Sequence, residues 1–360
     1  MKIFVFGSSI TSSYWNGAAT YYRGIYKELH ALGHEVIFAE PDAYGRQQKR
    51  DKGDFSYVTS MVYKDASEIP HLLATAGQCD LIIKHSGVGV FDDLLEAKVL
   101  NYRSEWTKVV FWDVDAPATL ARVEENPQDA FRALIPQYDF IFTYGGGPPV
   151  VRHYTKLGAV SCHPIYNALD PTTHHPVNAS VDSACDLLFV GNRLPDRERR
   201  VEEFFLRAAE LAPEFQFALG GEGWAGKPLP ANVRWIGHVG TDDHNRLNCS
   251  ARMVLNINRN SMAAAGFSPP TRIFEAAGAG ACLITDHWKG IETFFEPGKE
   301  ILVAGGPGEL VNYLRTVSES EAKQIARKMR AHALREHTYA LRARQFESIV
   351  AVAQAAPALS

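Results

Sequence analysis

The chain has 360 residues, 46% hydrophobic and 22% charged, with 37 basic against 41 acidic side chains and a formal net charge of −4. That is enough apolar material for two domain cores, and it excludes a disordered, collagenous or disulfide-scaffold chain. The charge balance offers no basic footprint for non-specific nucleic-acid binding. No apolar run approaches the ~18 residues of a membrane span, and the opening Met1-Lys2-Ile3-Phe4-Val5-Phe6-Gly7 is too short for the apolar core of a secretion signal. The five cysteines, Cys79, Cys162, Cys185, Cys249 and Cys282, are odd in number, scattered and never spaced Cys-x-x-Cys. They read as buried free thiols of a reducing cytoplasm, and their spacing supports no Cys/His zinc site.

In chain order, Ile3-Phe4-Val5-Phe6 predicts a buried strand. Ala18 to Leu32 carries apolar residues at helical spacing and stops at Gly33, ahead of the strand Glu35–Ala39. Strands follow at Leu81–Ile83, Val109–Trp112 and Phe140–Phe142, separated by helical stretches near 67–76, 91–101, 118–134 and 148–157. The period is lost over about 164–184, where His163-Pro164, Asp170-Pro171 and His174-His175-Pro176 are turn chemistry. It restarts with a strand over Asp186–Gly191, a helix over 196–211, and strands at Phe215–Leu219, Val233–Gly237 and Met253–Ile257. A helix over Pro269–Ala279 and a strand over Ala281–Thr285 come next, and helices close the chain from about 307. Fully apolar strands alternating with helices mean parallel sheets covered on both faces. The expected fold is α/β, two Rossmann-like domains whose parallel sheets face across an interdomain cleft. The expected boundaries are an N-terminal domain over 1–165, a linker over 166–184, a C-terminal domain over 185–336, and a final helix over 337–360 able to return to the N-terminal domain.

Ligands of such sheets sit outside the carboxyl ends of the strands, so the residues just after each strand are the candidates. In the first half these are Ser8, Ser9, Asn16 and Gly17, a loop entering a helix that could meet an acceptor or a phosphate. No Gly-x-Gly-x-x-Gly is present, so a dinucleotide fingerprint is absent. His85 lies at a strand end in a glycine-rich loop, placed for a cleft, although a lone histidine is more often structural. Asp113 and Asp115 follow Trp112 and could bind acceptor hydroxyls or act as a base, Asp115 equally serving to cap the helix opening at Pro117. Gly146 would let the backbone come close to a ligand.

In the second half Gly191, Asn192 and Arg193 end a strand and Arg197 opens the next helix, arginines at that place being suited to a phosphate. Gly221 and His238-Val239 end two further strands and can offer main-chain contacts. The densest group runs from Asn256 through Asn258, Arg259, Ser261-Met262, Gly266, Phe267, Ser268 and Arg272 to Glu275. Ser268 before Pro269 reads as a helix N-cap, which would aim a positive helix end at a diphosphate, and Glu275 two turns on could reach a ribose diol.

Leu255-Asn256-Ile257-Asn258-Arg259, then Ser268-Pro269-Pro270-Thr271-Arg272-Ile273-Phe274-Glu275-Ala276-Ala277 and Gly280 to Asp286, resemble the signature block of CgeB-like proteins, in the group 1 type of GT-B glycosyltransferases. Gly290-Ile291-Glu292, the stretch Phe295 to Val303 and Tyr166-Asn167-Ala168-Leu169-Asp170-Pro171 resemble that superfamily as well. In the N-terminal half Trp112-Asp113-Val114-Asp115-Ala116-Pro117 is the most similar piece. The resemblance implies a nucleotide-sugar donor on the C-terminal domain, an acceptor of unknown kind on the N-terminal domain, and retention at the transferred sugar. Many relatives carry two glutamates eight positions apart here. Glu275 matches the second, which contacts ribose, while Phe267 stands where the first would be, leaving the sugar-orienting role without a residue. The expected activity is metal-independent glycosyl transfer without a cofactor, with Arg193, Arg197, His85 and Asp113 as the candidate catalytic groups. The partners are then a nucleoside-diphosphate sugar and the acceptor, with no nucleic acid and no integral membrane segment. Two other activities suit the same residues: a nucleotide-sugar epimerase or hydrolase, and a non-catalytic nucleotide-sugar-binding protein.

Overall fold

The computed structural model describes residues 1–355, the last four by their backbone alone. The chain divides into two compact units, Met1–Asn167 together with the segment from Tyr339, and Ala168–Thr338.

In the first unit β1 (Lys2–Phe6), β2 (Glu35–Pro41), β3 (Thr59–Tyr63), β4 (Leu81–His85), β5 (Lys108–Asp113), β6 (Phe140–Thr143) and β7 (Cys162–Pro164) form a parallel sheet ordered β3-β2-β1-β4-β5-β6-β7. Helices α1 (Ala19–Ala31), α2 (Ile69–Ala76), α3 (Asp92–Lys98), α4 (Ala116–Glu125), α5 (Ala130–Leu134) and α6 (Gly147–Lys156) are the crossovers. α1 forms because Tyr21, Tyr22, Ile25, Tyr26 and Leu29 recur at helical spacing and bury one face. It ends before Gly33, whose φ of +88° suits a residue without a Cβ.

In the second unit β8 (Cys185–Val190), β9 (Phe217–Gly220), β10 (Val233–Trp235), β11 (Ala251–Asn256), β12 (Leu283–Asp286) and β13 (Leu302–Ala304) are again parallel, ordered β10-β9-β8-β11-β12-β13. Its helices are α7 (Pro195–Val201), α8 (Arg207–Leu211), α9 (Thr241–Ser250), α10 (Asn260–Ala265), α11 (Thr271–Ala279), α12 (Pro307–Thr316) and α13 (Glu319–Glu336). α7 runs into α8 through a π-helical turn at Glu202–Leu206. The last helix, α14 (Tyr339–Ala355), packs on α1 of the first unit. Gly24 is required there, since a Cβ would stand 2.2 Å from the Tyr339 ring. Phe346 of α14 stacks on Trp112 at 5.3 Å.

Both sheets are the α/β, parallel arrangement expected from the apolar strands. Several elements differ. β3 and β7 are short edge strands, β3 mostly half-exposed and β7 ending in proline, so neither shows an apolar run. α9 is polar along most of its length and escapes a search for apolar periodicity. The single helix expected over 118–134 is split in two at Asn126-Pro127, where proline interrupts the ladder and Asp129 caps α5 by accepting from Phe131 N–H. All five cysteines are free. No helix among the described residues is long and apolar enough to cross a membrane.

Candidate functional site

The strand order of the second sheet reverses between β8 and β11, and it is there that an open α/β sheet leaves a crevice at its carboxyl edge. Arg272, in the first turn of α11, spans that point. Its Nε donates to the Val190 carbonyl at the end of β8 (2.6 Å) and its Nη1 to Asn256 Oδ1 at the end of β11 (2.7 Å). Arg197 of α7 joins it, donating from Nη2 to the Asn192 carbonyl (2.5 Å), while its Nε is buried without a hydrogen-bond partner. Both guanidiniums lie over the Phe189 ring, 5.8 and 5.2 Å from its centroid. A Cβ on Gly191 would stand 2.9 Å from Arg197 Nη2 and 3.0 Å from Arg272 Nη2, so glycine leaves the space into which both point.

Neighbouring arginines are neutralised. Arg193 pairs with Glu198 (2.6 Å), Arg200 with Asp286 (2.6 Å) and Arg259 with Asp196 (3.1 Å). Arg197 and Arg272 have no such ion pair among the described residues and bond to neutral oxygens. Burial, then the nearness of Arg272 and Arg259, pushes Arg197 down to about 9, and burial likewise lowers Arg272 against the opposing charges of Glu275 and Asp286. Two desolvated cations held by neutral acceptors make a site for an anion with several oxygens.

The surrounding loops are tightly fitted. Gly191 N–H donates to the Gly220 carbonyl (2.9 Å) and Gly221 N–H to the Gly237 carbonyl (2.7 Å). Gly221 has φ +117° and a Cβ there would meet the Gly191 carbonyl oxygen at 2.4 Å. Asn192 Oδ1 accepts from Glu222 N–H (3.0 Å). Val239 packs over Gly220, whereas the His238 side chain is exposed beside Glu222. Under the arginines a buried polar set completes the floor. Asn258 N–H donates to Asp286, Asn258 Oδ1 accepts from Asn256 Nδ2, and Asn256 Nδ2 also reaches Thr285 Oγ1. Asn258 Nδ2 is buried without a partner.

The expected cap at Ser268 is not formed. α11 begins at Thr271 with Pro270 in the cap position, extended at ψ 158°. The reason is steric: Ser268 and Pro269 each precede a proline, which drives them out of the helical region. Ser268 is buried and its hydroxyl donates to the Gly266 carbonyl (2.9 Å). Gly266 (φ +71°) and Phe267 (φ +48°) make a left-handed turn clamped by Phe267 N–H on the Lys289 carbonyl (2.7 Å). A non-glycine residue in that region is strained and held by its surroundings. Glu275 lies in the second turn of α11, buried. Burial raises its carboxyl, but His244, His174 and Arg272 outweigh this and bring it below its ordinary value.

The first unit corrects two expectations. His85 is fully buried, sharing a 2.5 Å hydrogen bond between its Nε2 and Tyr26 Oη, packed against Tyr22 and Trp112, and lowered by burial to about 3. It is a neutral core histidine. Asp113 is also fully buried, accepting from Ser86 Oγ (2.7 Å), Thr119 Oγ1 (3.0 Å), Asp115 N–H (2.9 Å) and Tyr154 Oη (2.6 Å). Three of these bonds fall on Oδ1 and one, from Tyr154, on Oδ2, and together they anchor the carboxyl at the strand end away from solvent. Asp115 occupies the cap position of α4, with no capping bond from its side chain. Ser8, Ser9 and Asn16 are buried and bind one another: Ser8 Oγ donates to Asn16 Oδ1 (2.9 Å) and Asn16 Nδ2 to the Ser9 carbonyl (2.8 Å). Gly17 is exposed, with open space where a Cβ would stand. Gly146 has φ +86° and occupies the cap position before α6. Sequence reasoning placed Asn256 at the head of the densest group without giving it a role, and passed over Phe189, His174 and His244 as site residues. Phe189 looks like an ordinary strand residue, and the two histidines sit in a turn-like stretch and on a polar helix.

Residues 197–348 match the family model described as glycosyl transferase-like. No curated protein matches the sequence. Solved structures do. Anabaena HepE in complex with UDP and glucose is 13% identical with a TM-score of 0.69, over 98% of this chain and 100% of HepE. The sucrose-phosphate synthase of Thermosynechococcus elongatus is 11% identical with a TM-score of 0.72, over 99% of this chain and 100% of that one. An α-glucosyltransferase in complex with UDP and DNA containing an HMU base is 11% identical with a TM-score of 0.71, over 98% and 99%. At such identities the likeness is one of fold. The chain has the GT-B fold of these glycosyltransferases, and its residues 197–348 carry the match to the glycosyl transferase-like family.

Proposed function

We propose that the protein is a glycosyltransferase of the CgeB-like kind that moves a sugar from a nucleoside-diphosphate sugar to an acceptor hydroxyl. The carrying observation is the convergence of the guanidiniums of buried Arg197 and half-buried Arg272, neither of them in an ion pair among the described residues, on Gly191 at the β8/β11 crevice. As the bond from the anomeric carbon to the diphosphate breaks, negative charge gathers on the departing oxygens. Donors already in place in a low-dielectric site stabilise that charge without reorganising, a term worth ~3 kcal/mol per donor. In this reading the arginines do the work that a divalent cation does in other transferases, and the reaction needs no metal. Arg193, tied to Glu198, has a secondary role. Glu275 takes a ribose hydroxyl and the strained Gly266-Phe267 turn faces the sugar, roles supported by the family resemblance and by that turn's geometry. UDP is the first nucleotide to test, because the structural neighbours include complexes with UDP and UDP-glucose. The net charge of −4 favours a glycan or small-molecule acceptor over a nucleic acid.

The experiment is a thermal-shift series with UDP, ADP and GDP in EDTA, followed by product analysis of the matching sugar nucleotides with and without an acceptor panel. Stabilisation by one nucleotide and acceptor-dependent release of it support the reading. No stabilisation by any nucleoside diphosphate refutes it; turnover without acceptor makes the protein an epimerase if the product is an altered sugar nucleotide, and a hydrolase if the products are free sugar and nucleoside diphosphate. The anomeric configuration of the product, read by NMR, tests retention.

A further inference from the structure

Beside the proposed donor site, and sharing Glu275 with it, the second unit brings together two histidines and a carboxylate from three separate segments. His174 lies in the stretch before β8, His244 on α9 and Glu275 on α11. One ligand atom from each falls in a group within 4.8 Å of one another. His244 Nδ1 and Glu275 Oε2 are 3.6 Å apart, beyond a hydrogen bond, and the imidazole rings stack with centroids at 5.7 Å. Two ring nitrogens, His174 Nε2 and His244 Nδ1, are buried with no hydrogen-bond partner, and His174 as a whole is 3% exposed. A buried imidazole nitrogen left unbonded is costly, and two beside a buried carboxylate call for one shared partner.

The scaffold around them is held in place. A Cβ on Gly278 would stand 2.6 Å from the His174 carbonyl oxygen and 3.0 Å from its Cβ, so the chain at His174 lies directly on α11. His174 N–H donates to the Asp170 carbonyl (2.9 Å). Asn245, next to His244, donates from Nδ2 to the Thr173 carbonyl (2.8 Å) and accepts from His175 N–H (3.2 Å). Ligands on a rigid frame favour binding because little ordering is needed.

We propose that His174, His244 and Glu275 form a binding site for a divalent transition metal of the zinc class, tying the segment around His174 to α9 and α11. Bonds of about 2.0–2.2 Å at tetrahedral angles put ligand atoms about 3.4 Å apart. The His244–Glu275 pair is already near that spacing, and rotation of the His174 imidazole draws in the third. Two imidazoles and a carboxylate suit zinc, cobalt or nickel better than magnesium or calcium, which prefer all-oxygen shells, and a water completes the set. The site is structural. It binds Glu275 through one oxygen and does not include Arg197 or Arg272, so it stands apart from the neutralisation of the diphosphate.

The test uses the full chain, stripped with a chelator and titrated with Zn²⁺ against a chromophoric competitor and with Co²⁺ by visible absorption. The expected result is one equivalent bound, a cobalt spectrum of four- or five-coordination, and a melting temperature that rises with metal. His244→Asn and Glu275→Gln, checked for folding by circular dichroism, are each expected to weaken binding at least about tenfold and to lose the metal-dependent rise. Absence of saturable binding in the wild-type chain overturns the proposal. So does one-equivalent binding that persists unchanged in both variants, since the ion then sits elsewhere. UDP binding in the metal-free wild-type samples is read in parallel, so that failure of the metal site and failure of the donor site are seen separately.

Discussion

Replacing Arg197 by methionine should make the ligand-free protein more stable and its nucleotide binding worse. Methionine is long and flexible enough to keep the contact over Phe189 while removing a charge that the fold holds at a cost. That charge is pushed from 12.5 to about 9. At ~1.4 kcal/mol per pH unit, the charged form is disfavoured by up to about 5 kcal/mol. Loss of the bond to the Asn192 carbonyl offsets about 1 kcal/mol of the relief, and buried ions exchanged for apolar side chains give gains of about 1–4 kcal/mol. The expected net stabilisation is about 1–3 kcal/mol. A bound diphosphate loses a charged hydrogen bond, about 1.5–3 kcal/mol, or about 10- to 150-fold in affinity. Urea unfolding of the ligand-free variant gives the first quantity and UDP titration calorimetry the second. Arg193→Met is the control, because its guanidinium is already satisfied by Glu198, and it should change UDP affinity far less. If Arg197→Met loses stability, or binds UDP as tightly as wild type, Arg197 is a structural strut and the anion-site argument fails.

Other expectations are as direct. Glu275→Ala removes a ribose contact that is alike in ground and transition states, so the donor KM should rise by the ~1.5–3 kcal/mol of a charged hydrogen bond with kcat nearly unchanged; a fall in kcat at constant KM would place Glu275 at the reacting bond instead. Gly221→Ala forces a side chain onto φ +117° and onto the Gly191 carbonyl, which should cost ~1–3 kcal/mol in backbone strain alone and lower UDP affinity; wild-type melting and affinity would show that the loop moves freely. In the first unit, burial raises the Glu96 carboxyl from 4.5 to about 7 in spite of Lys84 and Arg122 at 3.9 and 3.8 Å. The folded state therefore keeps a proton that the unfolded state releases between those two values, and stability falls as pH rises through that window. Glu96→Gln should melt higher than wild type at pH 8, by up to about 3 kcal/mol, and equally at pH 5. A lower melting temperature at pH 8 would mean that its ion pairs outweigh its burial.

Much of the architecture was legible without a structure, because it depends on local patterns. Short apolar runs such as Ile3–Phe6 and Leu187–Phe189 have one stable environment, a strand buried on both faces, and their alternation with helical spacing specifies a parallel sheet. The glycines after strands marked the carboxyl edge, since close backbone approach there tolerates no Cβ, as Gly191 and Gly221 show. That pattern also drew attention to Arg197, Arg272 and Glu275.

Which of the marked groups carry unbalanced charge depended on pairings that sequence spacing does not encode. Arg193 and Arg197 look equivalent along the chain, yet one turn of α7 puts Glu198 against the first and leaves the second facing main-chain carbonyls. His85 and Asp113 end strands as a substrate-facing residue would, and only the packing of α1, α4 and α6 over them shows that one is a neutral core ring and the other an anchored carboxylate. The meeting of His174, His244 and Glu275 needs three segments folded together. The amino-acid order by itself determined most of the elements, the parallel pairing of the apolar strands and the strand edge at which chemistry would lie, because short-range sterics and apolar periodicity decide those. Only the tertiary structure decided which side chains are neutralised, buried or left without partners, because electrostatic balance and desolvation belong to three-dimensional neighbourhoods.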